Sequence, residues 1–344
     1  MFDVHENKDA VKFLLSNNMI QVESLSKKYA RHVAVDQISF SVEKGDIVGF
    51  LGPNGAGKTT TMRVLTCFLP PSAGKATVAG FDVFEQPFEV KKRIGYLPEA
   101  PPLYPEMSVE DYLMFVARLK NVASAEVKSR TEHVMQRCAV ADVKSKLISK
   151  LSRGYRQRVG LAQAIIHNPD VLILDEPTSG LDPKQITETR DLIKSLSGEH
   201  TIILSTHILP EVEAVCRKVI IINQGRLVAT DSVEHLKSTG VGNAIQVQVD
   251  TRGEADAAAV RQRIEQVPGV GKVVEKAASA DRLILEVDGL EDQNPRADVA
   301  RAIVHAGWNL LELKSTTLSL EEVYLQLTGG TTGSTANGVS GGVQ

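Results

Sequence analysis

The sequence is poor in the features that mark several large classes of protein. Its three cysteines, Cys67, Cys138 and Cys216, are scattered, and no two stand in CxxC spacing. They read as small buried hydrophobes in a reducing compartment. Aromatic residues make up only 5% of the chain, and the formal net charge is -3. No basic stretch gathers into the surface that nucleic acid requires, so no nucleic-acid partner is expected. No apolar run approaches the roughly 20 residues that span a bilayer. The longest, "VLIL" (171–174) and "VIII" (219–222), have the length of buried strands. The opening "MFDVHENKDAVKFLLSNN" has acidic residues where a signal peptide carries positive charge, and its apolar core is short. The expectation is a soluble, cytoplasmic chain; if it serves a membrane, another subunit does the crossing.

What is present is enough for more than one domain. The chain has 344 residues, 42% hydrophobic and 24% charged, an ordinary globular composition. Residues 1–18 form a polar lead-in with room for one short helix. From 19 to 238 apolar strands alternate with helical patterns, which predicts an α/β domain with parallel strands. The clearest strands are 46–51, 170–175, 201–205 and 218–222. A mainly helical insertion, about 108–168, interrupts the alternation. Residues 243–328 change rhythm: strand-like 244–249, helix-like 255–266, strand-like 272–275 and 282–287, helix-like 296–305 and strand-like 309–313. The β-α-β-β-α-β order predicts a small α+β domain of ferredoxin-like, split βαβ type. Within 243–328 no metal spacing or carboxylate constellation stands out. The last stretch, 329–344, "GGTTGSTANGVSGGVQ", cannot bury apolar surface and is expected to be disordered.

Chemistry concentrates in three places. "GPNGAGKTT", Gly52 to Thr60, holds GxxxxGK[ST] between a strand and a helical pattern. Its glycines let backbone N–H groups close on phosphates, and the following helix aims its positive end at them. The phosphate-binding set is therefore Gly52, Pro53, Asn54, Gly55, Ala56, Gly57, Lys58, Thr59 and Thr60. Lys58 would neutralise the β- and γ-phosphates, and Thr59 would offer its hydroxyl to Mg²⁺. "VLILDEP" (171–177) buries four apolar residues and places Asp175 at the carboxyl end of a strand, where open α/β sheets bind ligands. Asp175 is expected to hold Mg²⁺ through water, and Glu176 to polarise the attacking water as general base. "STH" ends the strand 201–205, which should neighbour the Asp175 strand and bring His207 toward the γ-phosphate.

With the P-loop, "LSRGYRQR", "ILDEPTSGLD" and "STH" in this order and spacing, the chain resembles the ATP-binding subunit of an ABC transporter over about 19–238. Within that family it looks most like the ABC-2 export ATPases of the gliding-motility type, in "IGYLPEAPPLYPEMSVEDYL", "LSRGYRQRVGLAQAIIHNP" and "LEEVYLQLT". The resemblance implies a P-loop ABC ATPase fold, ATP and Mg²⁺, a homodimer or heterodimer of ATP-binding subunits, and an integral membrane permease, with this chain peripheral at the cytoplasmic face of the membrane. It implies that Tyr29 stacks on adenine. Glu99 stands where the family usually has glutamine, in the loop that joins nucleotide to permease; it keeps an oxygen for Mg²⁺ but loses an amide donor. Asp182, in "SGLDP", would report across a dimer interface and also reads as a helix cap followed by Pro183.

The segment Ser152, Arg153, Gly154, Tyr155 stands where the family signature reads LSGGQ, so LSRGY keeps the serine and the second glycine. Ser152 reads as the N-cap of a helix whose N-terminus is a second anion site. One chain with a complete P-loop has no use for it on its own nucleotide. In ABC proteins it faces the γ-phosphate bound by the partner, so two chains head to tail would sandwich two ATP molecules. In the loop after Glu99, Leu103 and Tyr104 among Pro101, Pro102 and Pro105 make a candidate socket for a permease helix. The permease forms the transport path, so specificity lies in another chain. The alternative is a soluble ABC-family ATPase acting on nucleic-acid or ribosomal machinery. Such chains carry two cassettes or long coiled coils; this one has a single P-loop and no sustained heptad pattern. A GTPase would show an NKxD-type base reader, which is absent.

Overall fold

The computed structural model describes residues 17–239, 245–252, 256–279, 281–290, 295–315 and 319–328. The expected lead-in helix and tail lie outside these, apart from residues 17 and 18. The chain divides into two compact units, Met1–Val233 and Glu234–Gln344.

In the first unit, β1 (Asn18–Tyr29) and β2 (His32–Glu43) form a hairpin closed at Ala30, whose φ is 45°. β3 (Ile47–Leu51) leads into α1 (Lys58–Leu65), then β4 (Ala73–Val78), β5 (Phe81–Asp82), α2 (Pro87–Arg93) and β6 (Ile94–Leu97). Three helices follow: α3 (Val109–Leu119), α4 (Val127–Arg137) and α5 (Arg153–Ile165). Ser108 caps α3 by accepting from Asp111 N at 3.1 Å, and Val109, Tyr112, Leu113 and Val116 bury one side at helical spacing. The alternation then resumes with β7 (Val171–Asp175), α6 (Pro183–Ser195), β8 (Thr201–Thr206), α7 (Leu209–Val215), β9 (Lys218–Asn223) and β10 (Arg226–Ser232); α8 (Val233–Thr239) starts at the unit's last residue and belongs otherwise to the second.

Parallel strands account for one of two sheets here. The six-stranded sheet runs β10-β9-β3-β8-β7-β6, parallel except for β10 at its edge. β3 and β7 are buried along their whole length, as continuous apolar runs are when both faces are covered. The second sheet, β2-β1-β4-β5, is antiparallel. It shares a core with the first, in which Ile20, Val22 and Ile38 lie with Phe50, Ile173 and Ile203. The register of the parallel strands sets the site: Leu51 pairs with Thr206, and Ser205 with Asp175, so three strands end level.

The second unit contains β11 (Ile245–Asp250), α9 (Ala257–Glu265), β12 (Val270–Ser279), β13 (Arg282–Gly289), α10 (Arg296–His305), β14 (Leu310–Ser315) and α11 (Leu320–Thr328). Its sheet, β12-β13-β11-β14, is antiparallel throughout. Ile245, Val247 and Val249 alternate with half-buried polar residues and meet Val260, Ile264, Val299 and Ile303 of α9 and α10.

β6 lies directly against α5, and Gly95 makes the approach possible: a Cβ there would stand 2.1 Å from the Ala164 carbonyl oxygen. Gly95→Ala must displace backbone and is expected to cost about 1–3 kcal/mol. At about 2–4 °C per kcal/mol this is a fall of several degrees in Tm by calorimetry. An unchanged Tm would contradict the close approach.

Candidate active site

The carboxyl ends of β3, β8 and β7 open into one cleft of about 430 Å³. It gathers Tyr29, Asn54, Gly55, Gly57, Lys58, Thr59, Thr60, Glu99, Glu176 and His207 from the expected set. His32, Ala34 and Ser179, which the sequence did not single out, line it as well. Tyr29 ends β1 at the cleft with 41% of its surface exposed. Gly57 caps α1 at φ 105°, and a Cβ there would lie 2.5 Å from the Ala34 carbonyl oxygen, so only glycine closes this turn.

Lys58 opens α1 and is buried. Its Nζ donates to the carbonyls of Gly52 at 2.8 Å and Pro53 at 3.2 Å, and stands 3.2 Å from Glu176 Oε1. Ala56 is buried beneath the loop, its N–H donating to Pro53 O at 3.2 Å. Thr59 Oγ1 donates to Asp175 Oδ1 at 3.3 Å, which ties the phosphate loop to β7. Asp175 lies behind the cleft wall and also accepts from Ser205 Oγ at 2.5 Å. Burial lifts its carboxyl above the usual range; the Ser205 and Thr59 hydroxyls pull it down, and the Glu176 and Glu99 carboxylates push it up. A carboxylate so placed gains from a nearby cation. Thr59 and Asp175 offer hard oxygen donors, which suit a small divalent ion held partly by phosphate and water. Among the described residues no cluster of three or more His, Cys, Asp or Glu forms an all-protein metal cage.

Glu176 is buried and holds a left-handed backbone, φ 49°. A non-glycine residue there carries about 1–3 kcal/mol of strain. It is kept in place by its N–H, which donates to the Ser205 carbonyl at 3.0 Å and reaches Ser205 Oγ at 3.2 Å. The turn aims one carboxylate oxygen at Lys58 and the other at His207, whose Nδ1 lies 2.9 Å from Oε2. Glu99 approaches from the loop after β6, where Ser179 Oγ lies 3.4 Å from its Oε1.

The signature residues stay apart from this cleft. Ser152 caps α5, its Oγ accepting from Tyr155 N at 3.4 Å, and the Tyr155 hydroxyl donates to Asp142 at 2.7 Å. Gly154 is buried against Gln185, and the Arg153 guanidinium fills the space beside Gly180. Asp182 is exposed and caps α6, accepting from Gln185 N at 2.9 Å. Ser205 is a site residue beyond those expected from the sequence. Its one available signal was a serine ending an otherwise apolar strand, inside the very motif that pointed to His207.

A second hollow, about 340 Å³, is lined by Thr66, Cys67, Phe68, Lys91, Ile94, Tyr96 and Lys120 and holds none of these motif residues. Burial pushes the Cys67 thiol up to about 11, which leaves it unreactive at neutral pH.

A family model described as "ABC transporter" matches residues 35–179. The chain is 33% identical over 316 residues to the daunorubicin resistance ATP-binding protein DrrA3 of Streptomyces coeruleorubidus, covering 92% of this chain and 97% of that one. It is 32% identical over 318 residues to the bacitracin transport ATP-binding protein BcrA of Bacillus licheniformis, covering 92% and 99%. Among solved structures, an "ATP binding subunit of ABC transporter" aligns with a TM-score of 0.60 at 28% identity, over 64% of this chain and 93% of the other.

Ser205→Ala removes a hydroxyl that two adjacent acidic residues share. A hydrogen bond to a charged group contributes about 1.5–3 kcal/mol, so nucleotide hydrolysis is expected to fall roughly tenfold or more with the fold intact by circular dichroism. Hydrolysis at the parental rate would show that the hydroxyl does not position Asp175.

Proposed function

Since this chain belongs to the ABC transporter family as an ATP-binding, ATP-hydrolysing subunit, we propose that it powers an ABC-2 type exporter by closing on a second ATP-binding chain. The observation that carries this reading is a separation within the chain. The cleft gathers the P-loop, Glu176 and His207, while Ser152, Arg153, Gly154 and Tyr155 cap another helix and do not line it. Two helix N-termini thus await anions, and one of them serves a neighbour's nucleotide.

The residues divide the work as follows. Tyr29 stacks on adenine. Backbone N–H groups of the Gly52–Thr60 loop receive the phosphates, and Lys58 exchanges its carbonyl partners for the β- and γ-phosphates. Thr59, Asp175 and Glu99 would hold Mg²⁺, which would neutralise phosphate charge when bound. Glu176 accepts the proton of the attacking water, and His207 holds the γ-phosphate and the Glu176 carboxylate in line. Closure is favoured by contacts that only the γ-phosphate supplies; hydrolysis removes them and the pair relaxes. Ser152 and Gly154 of one chain, with Asp182 beside them, complete the other's site.

We take 19–238 as the ATP-binding domain, with 108–168 as its helical subdomain, and 243–328 as an accessory domain. The β-α-β-β-α-β succession with sheet order β12-β13-β11-β14 supports a ferredoxin-like assignment for the latter. No helix among the described residues is long and apolar enough to cross a membrane. Names of relatives that speak of transport and resistance support an integral permease that carries the path, with this chain peripheral at its cytoplasmic face. Export is favoured by the names of the relatives, which concern resistance to daunorubicin and transport of bacitracin. The motif wording around Leu151 and in the closing helix favours the gliding-motility-like subgroup. Tyr104, half exposed at 50% and resting on Tyr112 and Phe115, suits a permease contact.

Glu176→Gln keeps the shape of the side chain and removes the base. It is expected to stop turnover and to give an ATP-dependent dimer stable to gel filtration with light scattering; continued turnover, or a monomer at saturating ATP, would refute the assignment. Leu103→Asp with Tyr104→Asp is expected to abolish transport in the assembled complex while ATP affinity stays within about threefold, a change under 1 kcal/mol. Undiminished transport would remove this loop from the permease contact.

A further inference from the structure

Glu211, the third residue of α7, is 2% exposed, yet it lies outside the nucleotide cleft. Both of its carboxylate oxygens are taken by threonine hydroxyls. Thr178 Oγ1 donates to Oε1, and Thr206 Oγ1 donates to Oε2 at 2.8 Å. Burying a carboxylate against neutral hydroxyls is unfavourable, and an apolar residue of similar volume would fill such a space at lower cost. The position of its two partners offers a return for that cost.

Thr178 lies two residues after Glu176, at the start of the loop that ends in Asp182. Thr206 immediately precedes His207 and is itself held on two further sides. Its carbonyl accepts from Gly52 N at 3.4 Å, and its hydroxyl accepts from Ile208 N at 3.0 Å. One carboxylate therefore bridges the segment after Glu176 and the turn that carries His207, flanking a Glu176–His207 contact of 2.9 Å.

We propose that Glu211 is a positioning residue: it fastens the Thr178–Asp182 loop to the His207 turn, so that the catalytic pair and the segment offered to the partner chain are set as one unit. This rests on the roles of Glu176 and His207 proposed above. Misplacement of a reacting group by about 1 Å can cost on the order of a hundredfold in rate without contact with substrate.

The test is steady-state ATP hydrolysis by the full-length chain. Glu211→Ala is expected to lower kcat by roughly ten- to a hundredfold, with KM for ATP within about threefold. Glu211→Gln, which keeps an acceptor for Thr206 and turns its amide toward Thr178, is expected to recover most of that loss. On a Thr178→Val, Thr206→Val background, Glu211→Ala should lower kcat no further, because the contacts it acts through are already gone. A parental kcat in Glu211→Ala, a parallel loss of affinity, or full additivity on the valine background would each overturn the proposal. Should Glu211→Ala fail to fold, Thr178→Val decides alone: reduced kcat at unchanged KM and Tm supports it, and parental kcat overturns it. Glu176→Gln in the same assay separates the two ideas. If Glu176→Gln is inactive while Glu211→Ala runs at the parental rate, only this inference fails; if Glu176→Gln still hydrolyses ATP, the catalytic assignment itself has failed.

Discussion

Phe50, Ser205 and Asp175 stand at one level because β3, β8 and β7 pair in a single parallel register, and the chemistry of the molecule depends on that alignment. The segment after each strand carries one part of the site: Lys58 and Thr59 at the start of α1 after β3, His207 after β8, and Glu176 after β7. Side chains alternate along a strand, so a slip of one residue would turn Ser205 away from Asp175 and send Leu204 toward it. The apolar runs in these strands, buried on both faces, make such a slip costly. Packing thereby sets the distances among the polar groups.

The polar groups are arranged against the grain of stability. Lys58, Asp175, Glu176 and Glu211 are all charged-type residues with little exposure, and Glu176 adds a left-handed backbone. Each is tied to named partners, so the surroundings over-determine their positions. Electrostatic preorganisation of this kind lets a site meet developing phosphate charge without rearranging at the moment of reaction. It also explains why serine and threonine hydroxyls recur here: Thr59, Ser205, Thr178 and Thr206 hold carboxylates without neutralising them.

Much of this was legible in the sequence where local pattern and chemistry coincide. "FLGPNGAGKTT" and "VLILDEP" each join a buried strand to reactive residues in consecutive positions, so strand, loop and role could be read together. The antiparallel sheet of β1, β2, β4 and β5 was not anticipated. β1 bulges near Ser24, φ 45°, and its pairing with β2 shifts register several times, which breaks the two-residue period that marks a strand. The Glu211 bridge was equally hidden, because its partners lie 33 and 5 residues away and meet it only through the fold. Glu99 sits beside Ser179 across 80 residues of sequence for the same reason. The purpose of "LSRGY" came from family resemblance; the residues alone spoke only of a capped helix with an anion-seeking end.

The geometry leaves the capped end of α5 outside the cleft that its own chain builds, and the account turns on a second chain bringing the two together. The direct measurement is specific ATPase rate against protein concentration, from well below to well above the dimerisation midpoint, at saturating ATP and magnesium. Shared sites require the rate per chain to climb with concentration and then level off as ATP-bound pairs fill. A rate per chain that stays flat down to dilutions where light scattering finds monomers alone would contradict the account.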